Sequence, residues 1–85
     1  MIFVTSAKYD DEYRIRLSFN DGASGCVDLR ALVFGDHRPV VRELQDPALF
    51  RRFAVAMDTV VWDNGFDLAP EYLRSLVQRD DSAQN

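Results

Sequence analysis

Asp63, Asp67 and Glu71 are the side chains of this 85-residue chain whose spacing comes nearest to a chemical site. Asp67 and Glu71 stand one helical turn apart, so a helix that begins early points both the same way. Paired carboxylates of that kind hold a divalent cation or work as general acid and base. The same residues also have a structural explanation. Asp67 satisfies backbone N–H groups around the preceding turn or at the helix start, and Glu71 places negative charge at a helix N-terminus. The structural explanation is the stronger one. No catalytic residue, no metal ligand and no cofactor-binding residue is assigned.

The other reactive types are isolated. His37 is the only histidine and lies in a polar loop between Asp36 and Arg38, with no Ser or Cys set beside it to form a nucleophilic triad. Cys26 is the only cysteine, which excludes an internal disulfide and a multi-thiolate metal site. It sits in an alternating segment and reads as a small half-buried hydrophobe. Arg14 and Arg16 share one face of a strand. That face is first of all a solvated one, and after that a surface for an acidic patch on another protein. Phe66 reads first as a core aromatic; because it follows Gly65 directly in a turn, where an aromatic side chain can be only partly covered, an interface anchor is its second reading. The candidate interaction surface is therefore Arg14, Arg16, Asp63, Phe66 and Asp67.

These residues depend on a small set of elements. Ile2–Tyr9 is rich in β-branched and aromatic types and reads as a strand, ended by the polar break at Asp10-Asp11-Glu12. In Tyr13-Arg14-Ile15-Arg16-Leu17-Ser18-Phe19 the apolar and polar residues alternate strictly, the signature of a strand with one buried face. Asn20-Asp21-Gly22 turns the chain into a returning strand, Ala23–Leu29, in which Gly25 suggests a bulge or a close backbone approach. One helical turn at Leu29–Phe34 stops at Gly35. Residues 40–44 suit either a strand or a helical turn. Asp46 and Pro47 open a helix carrying Leu49, Phe50 and Phe53 on one stripe. Val55–Met57 and Val60–Trp62 read as strands, Asp63-Asn64-Gly65 as a turn, and Pro70 as the start of a last helix with Tyr72, Leu73, Leu76 and Val77 inward. The expectation is a single α+β domain over residues 1–78, a mostly antiparallel sheet with short helices on one face, and a frayed tail over 79–85.

Composition bounds the partners. The net charge is −4, which speaks against direct nucleic-acid binding through a broad phosphate-contacting surface. No apolar run is long enough for a membrane span, and the N-terminus lacks the pattern of a signal peptide, so a cytoplasmic location is expected. A domain this small buries only about 60% of the surface its unfolded chain exposes. Self-association through an exposed strand edge would help it, and a homodimer is one expected state.

The segment Trp62-Asp63-Asn64-Gly65-Phe66-Asp67-Leu68-Ala69-Pro70-Glu71-Tyr72-Leu73 resembles the hallmark tail of a bacterial family known as domain of unknown function 2442. Phe19-Asn20-Asp21-Gly22, Val27-Asp28-Leu29 and Leu44–Phe53 resemble its earlier motifs in the same order. The resemblance implies an α+β fold and no established enzymatic activity or cofactor. It also implies a partner, because many members look like one half of a two-protein cassette, encoded beside another small protein, with this family as the antitoxin-like half. The expected function is thus a non-enzymatic protein-interaction module. The alternative is a stand-alone sensing or regulatory domain, related to members fused to helix-turn-helix DNA-binding segments.

Overall fold

Strict alternation in the second strand sets the architecture. In the computed structural model, which describes residues 1–77, Tyr13, Ile15, Leu17 and Phe19 are all buried while Arg16 is exposed. Strands β1 (Val4–Asp11), β2 (Arg14–Phe19) and β3 (Ser24–Asp28) form an antiparallel sheet in that order. The β2–β3 turn is closed by bonds from Phe19 N–H to Ala23 O (2.9 Å) and from Gly22 N–H to Phe19 O (3.1 Å). Gly22 has φ +88°, a conformation in which glycine carries no Cβ penalty.

Bulges do occur, but not at Gly25. The β2–β3 register runs unbroken from Arg14↔Asp28 to Ser18↔Ser24 and pairs the buried Gly25 with Leu17. The irregularities lie in β1, between Val4 and Ser6 and between Tyr9 and Asp11. Each inserts a residue and bends the strand.

The middle of the chain is helical. Helices α1 (Arg30–Gly35) and α2 (Pro39–Arg42) lead into a 3-10 turn at Glu43–Gln45 and then α3 (Pro47–Phe50). Residues 40–44 therefore join no sheet. Asp46 caps α3 by accepting from Ala48 N–H at 3.0 Å. The helix is shorter than its apolar stripe predicts: Phe53 begins strand β4 (Phe53–Ala56), which pairs with β5 (Thr59–Trp62) in a second, two-stranded sheet. Helix α4 (Pro70–Leu76) closes the described chain and buries Leu73, while Tyr72 remains 41% exposed. The fold is α+β, as expected; the tail over 79–85 lies outside the described residues.

One apolar cluster joins the two sheets and the helices, with Ile15, Leu17, Val27, Val33, Val41, Leu44, Phe50, Val60, Trp62 and Leu73 at its centre. Polar groups that enter it are satisfied. The Tyr13 hydroxyl donates to Gln45 O at 2.5 Å, and the Trp62 indole N–H donates to Phe50 O at 2.8 Å. Phe50 makes edge contacts with Tyr9 and Tyr13, which bind the second sheet's entry to the first.

Candidate functional site

The turn after β5 is organised by Asn64 rather than by its acidic neighbours. Asn64 Oδ1 accepts from Phe66 N–H at 3.1 Å, and Asn64 Nδ2 donates to Val40 O at 2.9 Å and to Glu43 Oε1 at 2.8 Å. The turn is thereby tied to α2, and Gly65 takes φ +91°. Asp67 is exposed and pairs its backbone with Val61 in an isolated bridge, but its carboxylate makes no hydrogen bond among the described residues, so it caps neither the turn nor the helix. The residue at the cap of α4 is Ala69. Asp63 is exposed and lies 3.9 Å from Arg52, a long surface pairing. Among the described residues, no three of His, Cys, Asp and Glu converge to hold a metal ion.

Phe66 takes the core reading and not that of an interface anchor. It is 7% exposed, tilted against Trp62 at 5.8 Å between ring centroids, with the Arg38 guanidinium 5.5 Å over its ring. Position in a turn left the interface reading open; the Asn64 side chain folds the turn back so that the ring completes the core. Phe66 therefore presents no open ring beside the exposed Asp63 and Asp67.

Arg14 and Arg16 differ as well. Arg14 grips Asp11 through two bonds of 2.7 Å, which holds the Asp11 carboxyl below its ordinary value. Arg16 is exposed, and register places it directly across from Lys8 on β1 and Cys26 on β3. The next row of the same face is Ser6, Ser18 and Ser24. In the row beyond, Arg14 stands between Asp11 and Asp28. Asp10, displaced by the bulge, accepts from the Cys26 thiol at 3.1 Å. Partial burial first, and that bond second, raise the Cys26 pKa, so the thiol stays protonated.

The outer face of the first sheet thus divides in two. One half is internally neutralised around Arg14. The other presents two cations, the Cys26 thiol with the Asp10 carboxylate bonded to it, and a line of hydroxyls. Arg14, Arg30, Arg38, Arg52 and Arg74 each have a carboxylate partner, whereas Lys8, Arg16, Arg42 and Arg51 have none among the described residues, and of these four Lys8 and Arg16 stand opposite one another. Sequence reasoning found Arg16 but missed Lys8, because the two bulges shift the phase of β1 and hide which of its residues face out.

A second exposed surface lies on β4. Ala54, Val55, Ala56 and Met57 are all exposed, Met57 at 92%. Runs of that kind on soluble domains mark contact surfaces. An open cleft of about 330 Å³ is lined by Pro39, Arg42, Glu43 and Gln45. No helix among the described residues is long and apolar enough to cross a membrane.

A family described as "Protein of unknown function (DUF2442)" matches residues 4–78, and the chain belongs to that family. No curated protein and no solved structure matches it.

Proposed function

We propose that this member of the DUF2442 family is a non-enzymatic protein-interaction module, the antitoxin-like half of a small bacterial two-protein cassette, working in the cytoplasm. The observation that carries the reading is the Lys8–Arg16 pair. Like charges directly opposite on neighbouring strands destabilise a sheet. Here they face solvent without a carboxylate ion-pair partner among the described residues, although the chain has an excess of acidic residues. An acidic segment of a second protein would neutralise both and find the Ser6, Ser18 and Ser24 hydroxyls alongside as hydrogen-bonding groups.

The test is co-expression with the product of the adjacent gene. A stoichiometric complex is expected, weakened by salt and lost in the Lys8→Glu/Arg16→Glu variant, with relief of any toxicity of the neighbour. Separate elution of the two proteins together with no growth rescue refutes the proposal.

A further inference from the structure

We propose that β4 is a self-complementary edge at which two copies of this chain pair antiparallel, joining their two-stranded sheets into one continuous sheet. The inference is independent of the Lys8–Arg16 face.

Backbone parity is the first argument. Met57 and Asp58 form the turn of the β4–β5 hairpin, with φ +52° and +70°, so the flanking Ala56 and Thr59 exchange both ladder bonds. Arg52, Ala54 and Ala56 then face β5, in agreement with the bond from Asp63 N–H to Arg52 O at 2.9 Å. Phe53 and Val55 point their N–H and C=O groups the other way, and among the described residues those groups have no partner. A two-fold axis at Ala54 sets Phe53 of each copy opposite Val55 of the other. Each such pair exchanges both of its bonds, and every outward group of the strand is used.

Side chains fit the same axis. Ala54 meets Ala54 across it at a closely spaced, non-hydrogen-bonded position where small residues are needed. Phe53 and Val55 share the face of Trp62 and Val60, so pairing extends the core surface across the axis. The edge carries no Lys, Pro or bulge of the kind that protects exposed edges. A two-stranded sheet is marginal alone, and added strands stabilise it.

Charge chooses a second copy in antiparallel orientation. Arg51 and Arg52 precede the strand and Asp58 follows it; all are exposed. With the axis at Ala54, Arg51 lies beside Met57 of the second copy, next to that copy's Asp58. A parallel pairing would instead set the arginines side by side.

The experiment is sedimentation equilibrium on the full chain, with Ala54→Glu and Ala54→Lys variants. The wild type is expected to dimerise. Each variant places like charges opposite one another at the axis and is expected to dissociate at least about tenfold more readily, while their equimolar mixture recovers the dimer. Amide hydrogen exchange of the wild type gives a readout free of mutation: Phe53 and Val55 should gain protection as protein concentration rises. A monomeric wild type overturns the proposal. So does a dimer indifferent to both variants, or a dimer whose Phe53 and Val55 amides exchange at the same rate at every concentration.

Discussion

Trp62 donates its indole N–H to the backbone carbonyl of Phe50 at 2.8 Å, a bond buried in the core and spanning the entry to the β4–β5 hairpin. It fixes where α3 stops. The carbonyl belongs to the last residue of the helix, one of the groups a helix end leaves without an intrahelical partner. Trp62→Phe keeps an aromatic ring but strands that carbonyl. The expected loss is about 1–3 kcal/mol of stability from the unsatisfied acceptor, with a further cost for the smaller ring. Urea unfolding followed by circular dichroism measures it, and an unchanged midpoint contradicts the assignment.

Asn64 holds the second structural bond of this region. Its amide donates to both Val40 O and Glu43 Oε1 while its oxygen accepts from Phe66 N–H. Asn64→Asp retains the acceptor, removes the donor and sets a carboxylate against Glu43. A loss of about 1–3 kcal/mol is expected. The double variant Asn64→Asp/Glu43→Gln should recover part of it, since the repulsion is then gone. A thermal melt that ranks the double below the single removes this account of the turn.

The Met57-Asp58 turn carries positive φ on both residues, without a glycine at either. Turns of this type favour Asn at the first position. Met57→Asn is expected to raise stability by about 0.5–1 kcal/mol, by easing the backbone and removing an exposed thioether. The measurement is the urea midpoint at a concentration where the chain is monomeric; a lower midpoint would show that the turn is not strained at Met57.

Acid sensitivity follows from three surface carboxylates. Arg38 holds Asp36 at a pKa of about 2 by side-chain hydrogen bonding, against an ordinary 3.8. Asp11 is lowered by its bond to Arg14, and Asp21 by the Ala23 N–H first and Arg74 next. Each folded pKa lies below the unfolded one, so the stabilisation is complete above the unfolded value. It is lost as pH falls through the folded value. The urea midpoint should therefore drop between pH 3.8 and about 2. Asp36→Asn should flatten that drop; an Asp36→Asn profile superimposable on the wild type would exclude Asp36 as a contributor.

How far the sequence disclosed this fold depended on whether local pattern or distant packing decided each element. Tyr13–Phe19 alternates so strictly that its buried face was readable, and Gly22 and the Asp46-Pro47 pair marked their turn and helix start by chemistry that acts within a few residues. Phe53 fits a helix by its stripe with Leu49 and Phe50; register with Trp62 across β4–β5 overrides that stripe. Phe66 stays between core and interface in the sequence because its burial depends on Asn64 reaching Val40, a contact between residues far apart in the chain. Lys8 was invisible as a surface cation opposite Arg16 because two bulges reset the phase of β1. Local rules cannot see any of these contacts, and the candidate interaction face is built from just such a contact.

The Lys8–Arg16 pair sets stability against binding, and one substitution separates them. Lys8→Glu turns a like-charge cross-strand pair into an opposite-charge pair on an exposed face. The isolated domain should gain about 0.2–1 kcal/mol, because directly opposed unlike charges stabilise a sheet where like charges oppose it. Partner binding should weaken in the same variant, since the acidic segment then meets a carboxylate where it met an ammonium. The Lys8→Gln variant divides the two effects: it removes the repulsion without adding a negative charge, so it should keep most of the stability gain and lose less affinity than Lys8→Glu. Urea unfolding of the domain alone and titration of the complex by calorimetry supply the two readings. Stability and affinity that fall together would mean Lys8 is a structural residue; stability that rises while affinity holds would remove this face from the partner's contact.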